Sequence, residues 1–224
     1  MLSQTIATPE KSTQTDTTAI YLGKPKAGRV LAPKSVLFHQ GDNAAHIYKV
    51  KSGVVMTFRL LEDSQRQITG FRTAGDFFGL TPDETYHDTA VTVATSNIVS
   101  FTMGDIQASA ELQRELFSRT CFQLEDAQNM MMTLSKKSAG EKVAAFLVML
   151  AKRQKRNAPA QSEEIGINLP MSRLDIADYL GLSIETVSRR LTDLKSKGVI
   201  KLPSRHTAHI CQFRQLENMA GALA

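Results

Sequence analysis

Ser172-Arg173-Leu174-Asp175-Ile176-Ala177-Asp178-Tyr179-Leu180-Gly181-Leu182-Ser183-Ile184-Glu185-Thr186-Val187-Ser188-Arg189-Arg190-Leu191-Thr192-Asp193-Leu194-Lys195-Ser196-Lys197-Gly198 is the stretch on which the fold turns. Ser172 is a good N-cap, and Leu174, Ile176, Ala177 and Leu180 give a short helix its apolar face. Gly181 stands where a left-handed residue ends that helix. Ser183 caps a second helix from Ile184 to Lys197, and Gly198 ends it. Ala177 is small where two helices approach closely, and Leu182 plugs the space between them. Val187, Leu191 and Leu194 recur at i, i+4 and i+7 and face inward. The pattern predicts a helix-turn-helix.

Glu185, Ser188, Arg189 and Thr192 remain outward on the second helix. An ordinary solvated helix face would more often pair Lys with Glu at i,i+4. These four are short or planar polar groups, suited to base edges. Arg189 has the planar fork for guanine O6 and N7, and Glu185 can accept from cytosine N4. Ser188 hydrogen-bonds either way or meets a thymine methyl. Thr186, Arg190 and Thr192 flank the three base readers, and Ser172 and Ser183 sit where a phosphate would pass. One helix reads few base pairs, so useful specificity needs two half-sites about one DNA turn (~34 Å) apart.

Downstream, Val199–Leu202 and His209–Phe213 read as two strands joined by Pro203-Ser204-Arg205-His206, a wing. Lys201, Arg205 and His206 would lie near the DNA backbone and add salt-dependent affinity without sequence information.

The charge distribution agrees. The 224 residues carry a net charge of +5 and a pI near 9.2. Residues 1–136 are net −1 and residues 137–224 net +6. A basic final third on a neutral remainder suits an anionic partner, here double-stranded DNA. Hydrophobic residues at 42% and charged residues at 22% describe a core-forming chain. No apolar run approaches the ~20 residues of a membrane span. The polar, Thr-rich start lacks a signal-peptide core, so no membrane role and a cytoplasmic location are expected.

Upstream, residues 1–27 read as a flexible arm. Residues 28–105 carry strand signals: Ser35–His39, His46–Val50, an alternating run from Val54 to Leu60, Ala90–Ala94 and Asn97–Met103. Glu62-Asp63-Ser64 is a turn. Seven of the 13 glycines lie between Gly23 and Gly79, as closely spaced turns require. These signals predict a closed sandwich or roll. Residues 106–137 lack Gly and Pro and predict one long helix. Leu112, Leu116, Thr120, Gln123, Ala127, Met131 and Leu134 recur in a 4,4,3 rhythm, read as a heptad seam for a homodimer. Residues 138–224 form the DNA-binding part, with a helix from Glu141 to Lys152, a polar loop over 153–164 and a strand at Ile165–Leu169. The expected class is α+β: β-roll, long dimerisation helix, winged helix-turn-helix.

With these elements in place the chain after residue 27 resembles the CRP/FNR family of bacterial transcription regulators. The resemblance rests on the roll segment Gly75-Asp76-Phe77-Phe78-Gly79-Leu80, on the long helix, and on Leu182-Ser183-Ile184-Glu185-Thr186-Val187-Ser188-Arg189. The last matches the Glu-x-x-Ser-Arg reading motif of the FNR branch. That branch recognises TTGA…TCAA palindromes. Leu202-Pro203-Ser204-Arg205 resembles the rhizobial FixK-type regulators. The resemblance implies a cyclic-nucleotide-binding-like roll and activation through RNA polymerase. It also implies control of low-oxygen respiration and nitrogen-fixation genes. Two departures matter. Cyclic-nucleotide binders of the family carry Glu where this chain has Leu80, and Arg-Ser-Ala where it has Asp88-Thr89-Ala90. A carboxylate at that point repels a cyclic phosphate. Iron–sulfur members use an N-terminal cysteine set, and residues 1–120 hold no Cys. No cofactor is therefore expected; control is left to abundance, proteolysis or an unidentified ligand.

Cys121 and Cys211 read as packing residues, and Met130-Met131-Met132 as core or dimer packing. His39, His46 and His87 are scattered through the roll. A haem or small-molecule sensor and a cupin-like metalloprotein are the competing classes. The chain lacks a paired histidine cluster and a nucleophile–base motif, so no enzymatic activity is expected.

Overall fold

The computed structural model of the protein describes residues 28–62, 65–157 and 165–221. The expected arm over 1–27, residues Asp63 and Ser64 of the expected turn, and loop residues 158–164 lie outside these. Strands β1 (Arg29–Leu31), β2 (Val36–Phe38), β3 (Ile47–Ser52), β4 (Val55–Leu60), β5 (Arg66–Arg72), β6 (Phe77–Phe78), β7 (Thr89–Thr92) and β8 (Ser96–Phe101) build two antiparallel sheets. Their orders are β1-β8-β3-β6 and β2-β7-β4-β5. Between them lie Leu37, Phe38, Val50, Val55, Phe78, Tyr86, Ala90 and Ile98.

The second sheet is covered on both faces. Val55 enters the roll core, while Val54, Met56, Ile68 and Phe71 join a core shared with the C-terminal part. Alternation on β4 therefore does not separate inside from outside. It fades along the strand, and Leu60, expected on the buried row, is 53% exposed.

The long helix is not continuous from Ile106. Thr102 and Asp105 form a capping box that starts α1 (Met103–Gln107). Ser109 then caps α2 (Ala110–Lys136) by accepting from the Leu112 N–H. A side-chain oxygen that satisfies the backbone locally makes a restart favourable. α3 runs Ala139–Asn157, so the expected loop residues 153–157 are helical. β9 (Ile165–Asn168) follows. α4 (Arg173–Leu180), α5 (Ile184–Ser196), β10 (Ile200–Ser204), β11 (Thr207–Ile210) and α6 (Phe213–Met219) complete the chain. The sheet β10-β11-β9 is antiparallel. Phe213, expected in a wing strand, instead opens α6. Both Cys211 and Gln212 donate their N–H groups to the Val199 carbonyl, which ends the pairing before it.

Ile176, Ala177, Tyr179 and Leu180 of α4 are buried; Leu174, expected on the same apolar face, is 48% exposed. The two halves meet through Phe71, Phe146 and Tyr179, whose rings stack edge to face. Arg66 on β5 donates to Asp175 and Asp178 on α4 at 2.8 and 2.6 Å. Among the described residues no helix is long and apolar enough to cross a membrane.

Candidate nucleic-acid interface

Gly181 ends α4 in the left-handed region at φ 61°, and Leu182 donates its N–H to the Ala177 carbonyl. A side chain at this φ would be strained, so glycine sets the angle between α4 and α5. Ser183 caps α5: its Oγ accepts from the Thr186 N–H at 3.2 Å and lies 3.1 Å from the Thr186 hydroxyl. Val187, Leu191 and Leu194 are buried behind the helix. Glu185, Ser188, Arg189 and Thr192 all stand exposed on the opposite row.

The row is electrostatically prepared. Glu185's own backbone N–H, then the Ser183 hydroxyl, hydrogen-bond its carboxylate and hold its pKa below the ordinary glutamate value. Arg189's charge acts in the same direction. The carboxylate is thus an acceptor at neutral pH, one turn from a guanidinium donor. Thr192 donates its hydroxyl to the Ser188 carbonyl at 3.0 Å, which leaves its oxygen an acceptor only.

Three expected flanking residues are placed differently from one another. Thr186 is half-buried at the cap. Arg190 does not lie beside the reading row. Its Nη1 donates to Asp193 at 3.0 Å, and its stem packs near Gly140 of α3. Ser172 spends its hydroxyl on the α4 cap, accepting from the Asp175 N–H at 3.1 Å and donating to its carboxylate at 2.7 Å. In the wing, Arg205 and His206 form the exposed turn, and exposed Lys201 pairs in register with His209.

Arg173 is a residue that spacing arguments missed. It opens α4 beside Arg205. Its Nη1 is buried without a hydrogen-bond acceptor, and burial, then Arg205, lowers its pKa. A signal for it exists: an arginine in a helix's first turn opposes the helix dipole unless an anion sits there.

On α2 the expected seam divides. Leu112 and Leu116 pack onto Ile47 and Phe77 of their own roll and Ile106 of α1, and Gln123 donates to the Phe77 carbonyl at 2.9 Å. Leu134 packs partly against the shared core. Thr120 and Ala127 are exposed, and so is Met131 at 65%. Phe117 and Leu124, absent from the expected seam, are 73% and 59% exposed. The 4,4,3 rhythm has a mean step of about 3.67, which follows one side of a straight helix rather than a heptad. That side borders the roll. Cys121, expected to pack, is exposed on α2, whereas Cys211 is half-buried after β11. Met130 is buried, Met131 and Met132 are not. His39, His46 and His87 do not converge, and among the described residues no three metal-ligating side chains group together.

Comparison with known proteins agrees with this layout. The cyclic nucleotide-binding domain family matches residues 28–111, and the Crp-like helix-turn-helix domain family matches residues 141–219. The nitrogen fixation regulation protein FixK of Azorhizobium caulinodans is 39% identical over 187 residues, 82% of this chain and 73% of that one. The transcriptional activator Anr of Pseudomonas aeruginosa is 35% identical, over 88% of this chain and 81% of its own. The solved structure of FixK2 from Bradyrhizobium japonicum superposes with a TM-score of 0.76 at 29% identity. It covers 88% of this chain and 98% of that one. With its roll, its helix-turn-helix and relatives of this identity along most of its length, the chain belongs to the CRP/FNR family of transcription regulators, alongside activators of the FixK and Anr type.

Proposed function

We propose that the protein is a homodimeric activator that reads TTGA…TCAA-type palindromes through α5. Arg189 pairs with guanine, Glu185 accepts from cytosine, and Ser188 contacts the neighbouring base. Arg173, Lys201, Arg205 and His206 hold the phosphates, with Ser183 and Thr186 at the helix N-terminus, where the dipole favours anions. The observation that carries this reading is the exposed row Glu185, Ser188, Arg189 and Thr192, backed by buried Val187, Leu191 and Leu194.

Two copies would meet along α2. Phe117, Thr120, Leu124, Ala127, Met131 and Leu134 step 3,4,3,4,3, the spacing of a coiled-coil seam. All but half-buried Leu134 are exposed; a largely apolar row of this kind needs a partner, and a second α2 offers the same row by symmetry. The paired helices set two copies of α5 one DNA turn apart.

The roll acts here without cyclic nucleotide and without an iron–sulfur cluster. Asp88 stands where the phosphate-binding arginine of cyclic-nucleotide members would be. It accepts from Arg59 Nε at 2.8 Å. Target genes of low-oxygen respiration and nitrogen fixation, recruitment of RNA polymerase and a cytoplasmic location follow from the family reading. A gel-shift titration with a TTGA…TCAA duplex and a scrambled control tests the proposal. Tight, salt-sensitive binding to the palindrome alone is expected; equal affinity for both duplexes rejects it.

A further inference from the structure

Arg66 opens β5 opposite Leu60, the last residue of β4. Its Nη2 spans two carboxylates of α4, donating to Asp175 Oδ1 at 2.8 Å and to Asp178 Oδ2 at 2.6 Å. The guanidinium carbon also lies 5.6 Å from the centre of the Phe58 ring on β4. All three charged side chains are half-buried. Burial works against the arginine's charge, yet its hydrogen bonds to Asp178 and Asp175 hold its pKa above the ordinary value.

The two carboxylates differ in what else they do. Asp175 belongs to the capping box of α4: its Oδ2 accepts from the Ser172 N–H at 3.0 Å and from the Ser172 hydroxyl at 2.7 Å. Its Oδ1 takes Arg66. The roll therefore grips α4 at a turn whose backbone the cap already fixes. A second grip comes one turn on, where Tyr179 meets Phe71 edge to face with ring centres 5.3 Å apart. Apolar packing of this kind resists separation more than sliding, because hydrophobic attraction is non-directional. Charge-assisted hydrogen bonds are short and fix geometry. With both grips in place α4 has little freedom to turn on the roll. Gly181 and the packing behind α5 carry that orientation to the reading row.

We propose that Arg66 is a positioning residue of DNA recognition: through Asp175 and Asp178 it sets the direction in which the roll presents α5, and with it the half-site separation that the dimer accepts. This inference rests on the palindrome reading above and names a residue that fixes its geometry. Arg66 belongs to the roll, not to the reading helix. One added base pair shifts a half-site by ~3.4 Å and turns it by ~34°. A rigidly mounted α5 rejects that displacement, and a loosely mounted α5 follows it.

The test is a gel-shift titration of the full chain as wild type, Arg66→Met, Arg66→Lys and Asp178→Asn. The duplexes share TTGA and TCAA half-sites and carry the best-bound spacer or a spacer one base pair longer or shorter; a scrambled duplex is the control. Wild type is expected to favour the best spacer by about tenfold or more, and Arg66→Met by less than about threefold, with unchanged circular dichroism. Arg66→Lys keeps the charge but not the planar group, and Asp178→Asn keeps only the Asp175 partner; both are expected to fall between. Carboxylates freed on α4 also repel DNA, but that weakens every spacer alike and cancels in the ratio. A merely structural Arg66 would lower the melting midpoint and leave the ratio where it was. A spacer preference kept by both Arg66→Met and Asp178→Asn overturns the proposal, and so does a wild type that accepts all three spacers equally. If Arg66→Met does not fold, Asp178→Asn decides: an amide has the carboxylate's shape, so a reduced preference supports the proposal and an unchanged one overturns it. A wild type that binds scrambled DNA as tightly as the palindromes removes the DNA reading and this inference with it. Palindrome selectivity with an unchanged spacer preference in the variants removes this inference alone.

Discussion

Arg153 on α3 donates from Nε to Asp126 Oδ2 on α2 at 2.8 Å. The same guanidinium donates from Nη1 to the Phe71 carbonyl at 2.6 Å and lies 3.8 Å from Asp76. One side chain of the C-terminal part is thereby bound to the long helix and to the roll. Asp76 belongs to the roll segment Gly75–Leu80 and also accepts from Thr73's N–H and hydroxyl.

Arg153 is 6% exposed, so removing it takes a cationic partner from buried Asp76 and from half-buried Asp126. Arg153→Gln is expected to lower unfolding free energy by about 3–5 kcal/mol in urea titration. The double change Arg153→Met with Asp126→Leu is expected to recover much of that loss. A single-variant loss below about 1 kcal/mol, the range of exposed pairs, shows the cluster to be solvated.

Arg189→Ala is expected to weaken operator binding by about 1–3 kcal/mol per half-site and to relax choice at one guanine. Lys201→Ala is expected to weaken all duplexes equally and to flatten the salt slope by about one per contact. Unchanged operator affinity for Arg189→Ala places the reading row elsewhere.

Arg173→Ala removes a half-buried cation that repels Arg205. Its thermal midpoint is expected to match or exceed wild type, while affinity falls alike for operator and scrambled DNA. A lower midpoint with intact DNA binding makes Arg173 a structural residue instead.

Ser183→Asp separates the cap from the phosphate contact, because aspartate caps a helix as well as serine does. Far-UV circular dichroism and melting are expected to be unchanged. DNA affinity is expected to fall through repulsion at the α5 N-terminus. Equal affinity would show that no phosphate comes near Ser183.

Phe117 is 73% exposed, and Phe117→Glu places a charge on the outer side of α2. Sedimentation is expected to show monomers with wild-type circular dichroism, and palindrome binding is expected to drop by far more than for a single phosphate contact. A dimer that survives Phe117→Glu and Leu124→Glu together moves the interface off this row.

The helix-turn-helix was legible residue by residue. Ser172, Gly181, Ser183 and Gly198 act on their own neighbours, and Val187, Leu191 and Leu194 share one side at any helical geometry. The strands were legible as runs but not by face, since β4 is covered on both sides. Leu174 looked like core and is exposed because α4 buries only the side turned to α5 and the roll. α6 was missed: Phe213, Leu216 and Ala220 carry a helical period, but it follows directly on a β-rich run.

Composition, caps and periodicity by themselves determined the strand runs of the first half, a long helix, the strand pair of the wing and the polar row of α5. Each of these depends on contacts within a few residues or on charge counted along the chain. Only tertiary structure decided which side of α2 the roll covers, and so that Phe117 and Leu124 stand open while Leu112, Leu116 and Gln123 do not. It also decided that Arg153 meets Asp126, and that Arg66 meets Asp175 and Asp178. Those outcomes pair residues tens of positions apart, and local pattern carries no record of which distant side chain arrives.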